Sequence, residues 1–203
     1  MKNSLDARSE NYLFLSDFSS TKVEGSTKWM VGLPIKMSLH LGGFIGYKLN
    51  PNENPVMKWS VSPLLGINLF DFLGLSLSGK YSKSSDETLS YYLDDTFIDE
   101  YFYDETEIKG KATLLFGKQN KLVFSASYSM RDFSPLLHTS DADSSFMTGS
   151  YEDRADDIFV VDAVLKMNLE SISPYLNYVY ENRKSSNAQY SFSSNSITLG
   201  IEF

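Results

Sequence analysis

Two histidines, His40 and His138, are the side chains here best suited to exchanging a proton near neutral pH. His138 stands close to Ser140, Asp141 and Asp143. A histidine held by a carboxylate can act as a base toward a serine or a water, which would place a hydrolase centre in the 131–157 segment. The spacing argues against it. Ser140 is only two residues away, and no second element of such a constellation can be identified. His40 falls where a tight turn is expected and carries no assigned chemistry. There is no phosphate loop, no Gly-x-Ser-x-Gly elbow and no dinucleotide fingerprint. Cysteine is absent, which removes disulfides, zinc-thiolate sites and cysteine nucleophiles. The sequence therefore predicts no catalytic residue, no metal and no cofactor; a rim enzyme using His138 is the weakest functional alternative.

Charge is the stronger signal. The chain of 203 residues has a net charge of −8, which argues against nucleic acid as a partner. Fifteen of the 26 acids lie in two segments, 84–105 and 131–157. The first of these runs Tyr91-Tyr92-Leu93-Asp94-Asp95-Thr96-Phe97-Ile98-Asp99-Glu100-Tyr101-Phe102-Tyr103, a mixture of acids and aromatic rings. It reads either as a contact surface for a protein partner, a basic ligand or calcium, or as a solvated strand extension. No Asp-x-Asp-x-Asp-Gly loop supports calcium.

The elements that must position these charges are strands. Side chains alternate faces along a strand, so an apolar residue at every second position marks one greasy face. Phe159, Val161, Ala163, Leu165, Met167 and Leu169 are such a series. So are Leu122, Phe124, Ala126, Tyr128 and Met130, and every odd residue from Trp29 to Leu41. No stretch has convincing helical spacing, and none approaches the roughly 18 to 20 apolar residues of a membrane-spanning helix. About ten strands are expected, near 10–18, 23–37, 42–49, 56–68, 73–83, 106–116, 121–131, 157–169, 173–182 and 190–203, with eight as the alternative count. Short connections near His40 to Gly43, Leu69 to Phe72, Gly117 to Asn120 and Glu170 to Ser173 alternate with long ones. That is an antiparallel up-and-down meander in one domain, 1–203. Residues 1–9 are expected to be a disordered or added tail. Met1-Lys2-Asn3-Ser4 leads into no apolar segment, so no secretory leader is expected in this sequence.

Alternation also fits a soluble barrel or sandwich. Strand length favours a membrane: expected strands of about 9 to 13 residues match the roughly 9 to 11 that cross a bilayer at a tilt. Trp29, Tyr47, Trp59, Tyr81, Tyr128, Phe159 and Tyr180 lie near strand ends, where amphipathic rings suit an interface. In lipid such a sheet must close into a transmembrane β-barrel to satisfy its backbone.

By parity the polar face carries Lys28, Lys36, Lys48, Lys58, Lys80, Lys109, Lys111, Arg131, Lys166 and Arg183, against the acids Glu107, Asp162, Glu181 and Glu202. Lys28, Lys36, Lys58, Lys80, Lys109, Lys111, Arg131, Asp162, Lys166 and Glu202 are the candidate lumen-lining residues. Two readings remain open. One is a base-rich lumen favouring anionic solutes. The other is a filled polar interior whose charges pair, as expected for a barrel of few strands.

The ending Ser196-Ile197-Thr198-Leu199-Gly200-Ile201-Glu202-Phe203 resembles the closing strand of bacterial outer-membrane β-barrel proteins. The stretch from Asp156-Asp157 through Tyr178-Val179-Tyr180-Glu181-Asn182 to the terminal Phe is similar to the last two hairpins of small porin-like barrels. This resemblance implies an outer-membrane location. Ile197, Leu199, Ile201 and Phe203 would be the insertion signal, read by the barrel-assembly machinery. It further implies lipid and lipopolysaccharide as neighbours, with tight turns toward the periplasm and long loops outside. Together with the base-rich polar face, the expected function is a narrow porin-like channel for small solutes or ions. The alternative is a structural or binding barrel presenting loops 84–105 and 131–157 to a partner.

Overall fold

The computed structural model describes residues 2–10, 20–33, 36–49, 56–85, 103–117, 120–133, 154–169, 172–186 and 188–202. The chain is all-β. Its strands are β1 (Lys2–Glu10), β2 (Ser20–Leu33), β3 (Met37–Leu49), β4 (Val56–Phe70), β5 (Leu73–Ser84), β6 (Tyr103–Phe116), β7 (Asn120–Phe133), β8 (Ala155–Lys166), β9 (Ser173–Ser185) and β10 (Phe192–Glu202). A short 3-10 turn, Ala188–Tyr190, precedes β10. All strands pair antiparallel in chain order in one up-and-down sheet. The strands β2–β10 alone exceed the eight-strand alternative. Among the described residues no ladder joins β1 to β10, so each keeps one backbone edge unpaired within the sheet.

The strands run 11 to 15 residues from β2 to β10, well beyond the usual five or six. Their apolar residues face away from protein. Leu199 is 77% exposed and Ile197 69%, and Leu39, Leu41, Ile45, Leu65, Leu77, Ile108, Phe124 and Phe159 are exposed with them. The buried apolar side chains among the described residues are Val56, Tyr103 and Ile158, whereas Lys58, Ser82, Ser84, Glu105, Ser125, Ser129 and Asp156 are buried polar ones. The sheet is thus inverted relative to a water-soluble core. Along β5 the outer apolar series runs from Leu73 to Tyr81, eight residue steps. At about 3.4 Å per residue, that is a run of roughly 27 Å along the strand. Trp59 and Tyr81 meet at its upper margin, with ring centroids 5.5 Å apart.

Several boundaries differ from expectation. A strand forms at Lys2–Glu10, where a tail was expected, and the expected first strand at 10–18 falls mostly outside the described residues. The first short connection is not at His40 to Gly43. It lies between Leu33 and Met37, and His40 sits inside β3, paired with Met30 and Leu64. The apolar series at odd positions from Trp29 to Leu41 runs through His40 and equally across the actual connection, so alternation alone did not mark this turn. Lys36 is consequently a turn residue with φ 54°, a left-handed conformation costly for a residue bearing Cβ. Gly117 takes the same conformation, φ 58°, at the β6–β7 turn, where glycine adopts it freely. β6 and β8 begin earlier than expected, at Tyr103 and Ala155.

Tyr175 and Gly200 are directly opposed on β9 and β10, and the tyrosine ring lies over the glycine, where a Cβ would fall inside van der Waals contact. Gly110 has open space beside it. Gly200→Ala is therefore expected to cost about 1–3 kcal/mol through overpacking, and Gly110→Ala less than about 0.5. Urea unfolding of the two variants checks the contrast, and equal effects would refute it.

Candidate functional site

The ladder puts the polar residues on one face. Lys28 opposes Gly42, which opposes Ser62; Lys58 opposes Ser84; Lys80 opposes Glu107. Across β6–β8 the row Glu105, Arg131, Asp156 is continuous, and Lys111, Ser125 and Asp162 form another. Lys109 and Lys166 follow by parity, and Glu202 opposes Ser173 on that face. Lys36 is the exception, since it lies in the turn. Lys121 and Lys166 stand opposite each other, a like-charge pair the expectation did not include.

The charges form two different ends. Toward the long connections they are knit together. Glu105 is 3% exposed; Lys80 Nζ donates to its Oε2 at 2.7 Å and Arg131 Nε to its Oε1 at 2.8 Å. Lys58, 1% exposed, donates to the Tyr103 carbonyl at 2.9 Å and stands 4.3 Å from the Tyr103 ring centroid. The Arg131 guanidinium lies 4.7 Å from that centroid, so one ring faces two cations. Arg154 grips Asp156 with both Nε, at 3.0 Å, and Nη2, at 2.6 Å, and its guanidinium stacks 3.8 Å from the Tyr190 ring centroid. Arg183 Nη1 approaches Asp156 at 3.9 Å and its Nη2 lies 3.5 Å from Glu181. Pairing satisfies charges that burial alone would make costly.

This corrects the charge balance. Glu105 and Asp156 were assigned to acidic loops, yet both lie on the polar face and hold its most buried ion pairs. Adjacent acids split: Asp104 and Asp157 fall on the opposite face by register, where Asp104 accepts from Ser84 N and Asp157 from the Tyr128 hydroxyl. The signal was present in the parity, since Glu105 stands two residues before Glu107 and four before Lys109. The remaining bases are matched less closely. Asp162 is 3.5 Å from Ser125 Oγ, and Lys166 pairs with Glu202.

At the opposite end, by the tight turns, Lys36 Nζ donates to Asp71 Oδ1 at 2.6 Å, joining two turns. The hydrogen bond from Lys36, and then its charge, holds the exposed Asp71 carboxyl below its ordinary value. His40 lies between the two ends, with Nε2 3.2 Å from Ser38 Oγ. His138, Phe203 and most of the expected 84–105 and 131–157 loops fall outside the described residues. Ile197, Leu199 and Ile201 share the outer, exposed face of β10. Among the described residues no cluster of His, Asp or Glu is arranged to hold a metal ion. Set beside known proteins, the chain matches no family model and no curated sequence.

Proposed function

We propose that this chain is a bacterial outer-membrane β-barrel whose narrow, base-lined lumen passes small anionic solutes. The inversion of the sheet carries the proposal: exposed Leu, Ile and Phe on one face, buried Lys, Glu, Asp and Ser on the other. A soluble monomer rarely exposes an apolar surface spread over so many strands, and hydrocarbon is the solvent that suits it. Closure follows from the same premise, because an unpaired sheet edge is intolerable in lipid. With an even number of strands in chain order, β1 and β10 run antiparallel and can pair directly. About ten strands enclose little space, so the knit end serves as a constriction.

Planar-bilayer recording tests this. A small, steady conductance with anions preferred over cations is expected, and Lys80→Glu, Lys109→Glu and Lys166→Glu together should move the reversal potential toward cation preference. An unmoved reversal potential rejects the lumen assignment. A second reading is favoured by the burial of Lys58, Glu105 and Asp156, which fills the interior toward the long connections. On that reading the barrel is a closed scaffold presenting its acidic, aromatic loops to a partner. A chain that inserts, migrates as a heat-modifiable band and stays electrically silent would establish it over the channel.

A further inference from the structure

Among the described residues the polar face is less closely knit by ion pairs near the tight turns than near the long connections. A cavity of about 630 Å³ near the tight turns is lined on its polar side by Lys36, Ser38, Asn68, Ser76, Lys111 and Thr113. Two glycines lie in its lining where a Cβ would crowd a polar neighbour. A Cβ on Gly66 would stand 3.0 Å from Ser38 Oγ, and one on Gly74 would stand 3.0 Å from Asn68 Oδ1. The hydroxyls and amide around the cavity are neutral groups able to donate hydrogen bonds. Its charges are unequal: Asp71 is engaged by Lys36, while Lys111 makes no ion pair among the described residues. On the neighbouring strands Lys121 faces Lys166 across the ladder with Glu202 as the acid at hand, which adds positive field at this end.

We infer that this cavity binds a small oxyanion of the phosphate or sulfate class, with Lys111 as its counter-charge and Ser38, Asn68, Ser76 and Thr113 as neutral donors. A compact anion with several acceptor oxygens fits a lysine ringed by hydroxyls, because charge-assisted hydrogen bonds are the stronger kind. The phosphate could be a free solute or the headgroup of a lipid. That this cavity opens into a lumen rests on the barrel reading above; the binding does not.

Calorimetric titration of the folded full chain in a zwitterionic detergent tests it, with inorganic phosphate in one arm and dibutyryl phosphatidate in the other. Saturable binding is expected, weakened at least about tenfold by Lys111→Gln and largely kept by Lys111→Arg. Lys83→Gln, an exposed lysine on the opposite face of β5, should leave it unchanged. Phosphate binding identifies a solute site, and binding of the phosphatidate alone identifies a headgroup site. Absence of saturable heat in both arms, or equal affinity in Lys111→Gln, overturns the inference. Circular dichroism of each variant establishes that it is folded. Neither arm needs a conducting channel, so failure here and failure of the channel reading are separable.

Discussion

Leu77→Arg is expected, on the proposed membrane-barrel reading, to destabilise the bilayer-inserted chain by about 2–4 kcal/mol, the cost of a cation near the hydrocarbon midplane. Leu77 is the middle residue of the outer series on β5, 53% exposed, with Leu65 and Gly110 opposite it on the flanking strands. Urea unfolding from phospholipid vesicles, followed by Trp29 and Trp59 fluorescence, measures it. The sign is informative because the same change on a water-facing strand stays within about 0.5 kcal/mol. Lys109→Gln, on the other face of β6, is the matched control and should have a small effect. If Leu77→Arg is as benign as that control, the outer face does not meet lipid.

Glu105→Gln should produce the next largest loss, about 2–4 kcal/mol. Removing one partner of a buried ion pair leaves the other charge uncompensated. Here two cations, Lys80 and Arg131, lose the same acceptor. Both keep some contact with solvent, which holds the figure below that of a fully buried triad. Glu105→Gln combined with Lys80→Gln should recover part of the loss, since one orphaned charge is removed with its partner. On the proposed reading the single variant also raises conductance, because the knit end loosens. A change below about 0.5 kcal/mol would mean that the network is incidental to stability.

The fold was legible because one physical rule governs most of it. In the series Leu122 to Met130 and Phe159 to Leu165 every second residue is apolar or aromatic, and both lie in single strands, β7 and β8. The rule missed the connection between Leu33 and Met37, which the series from Trp29 to Leu41 crosses, and elsewhere a second signal competed with it. Glycines after His40 suggested a turn, yet Gly42 and Gly43 are paired inside β3. Runs of acid suggested loops at Asp104-Glu105 and Asp156-Asp157, yet the ladder carries both pairs and divides each between two faces. The site was legible only as a parity: which lysines share a face could be read, but not which acids neutralise them. That Lys58 and Arg131 flank one tyrosine depends on cross-strand register, and register between distant segments leaves no local trace in a single chain.

Every ladder in this sheet joins strands that are neighbours in the chain, from β1 with β2 to β9 with β10. Such an order lets the molecule assemble as a zip, one hairpin templating the next, with little separation in sequence to overcome at each addition. On the proposed barrel reading, joining β1 to β10 would be the exception, because it would bring together the first and last strands of the sheet after the other ladders had formed. The growth of loop-closure entropy with length is slow, so distance itself adds only modestly to that last event. On that reading its rate would depend on how closely the nine ladders already formed bring β1 and β10 together.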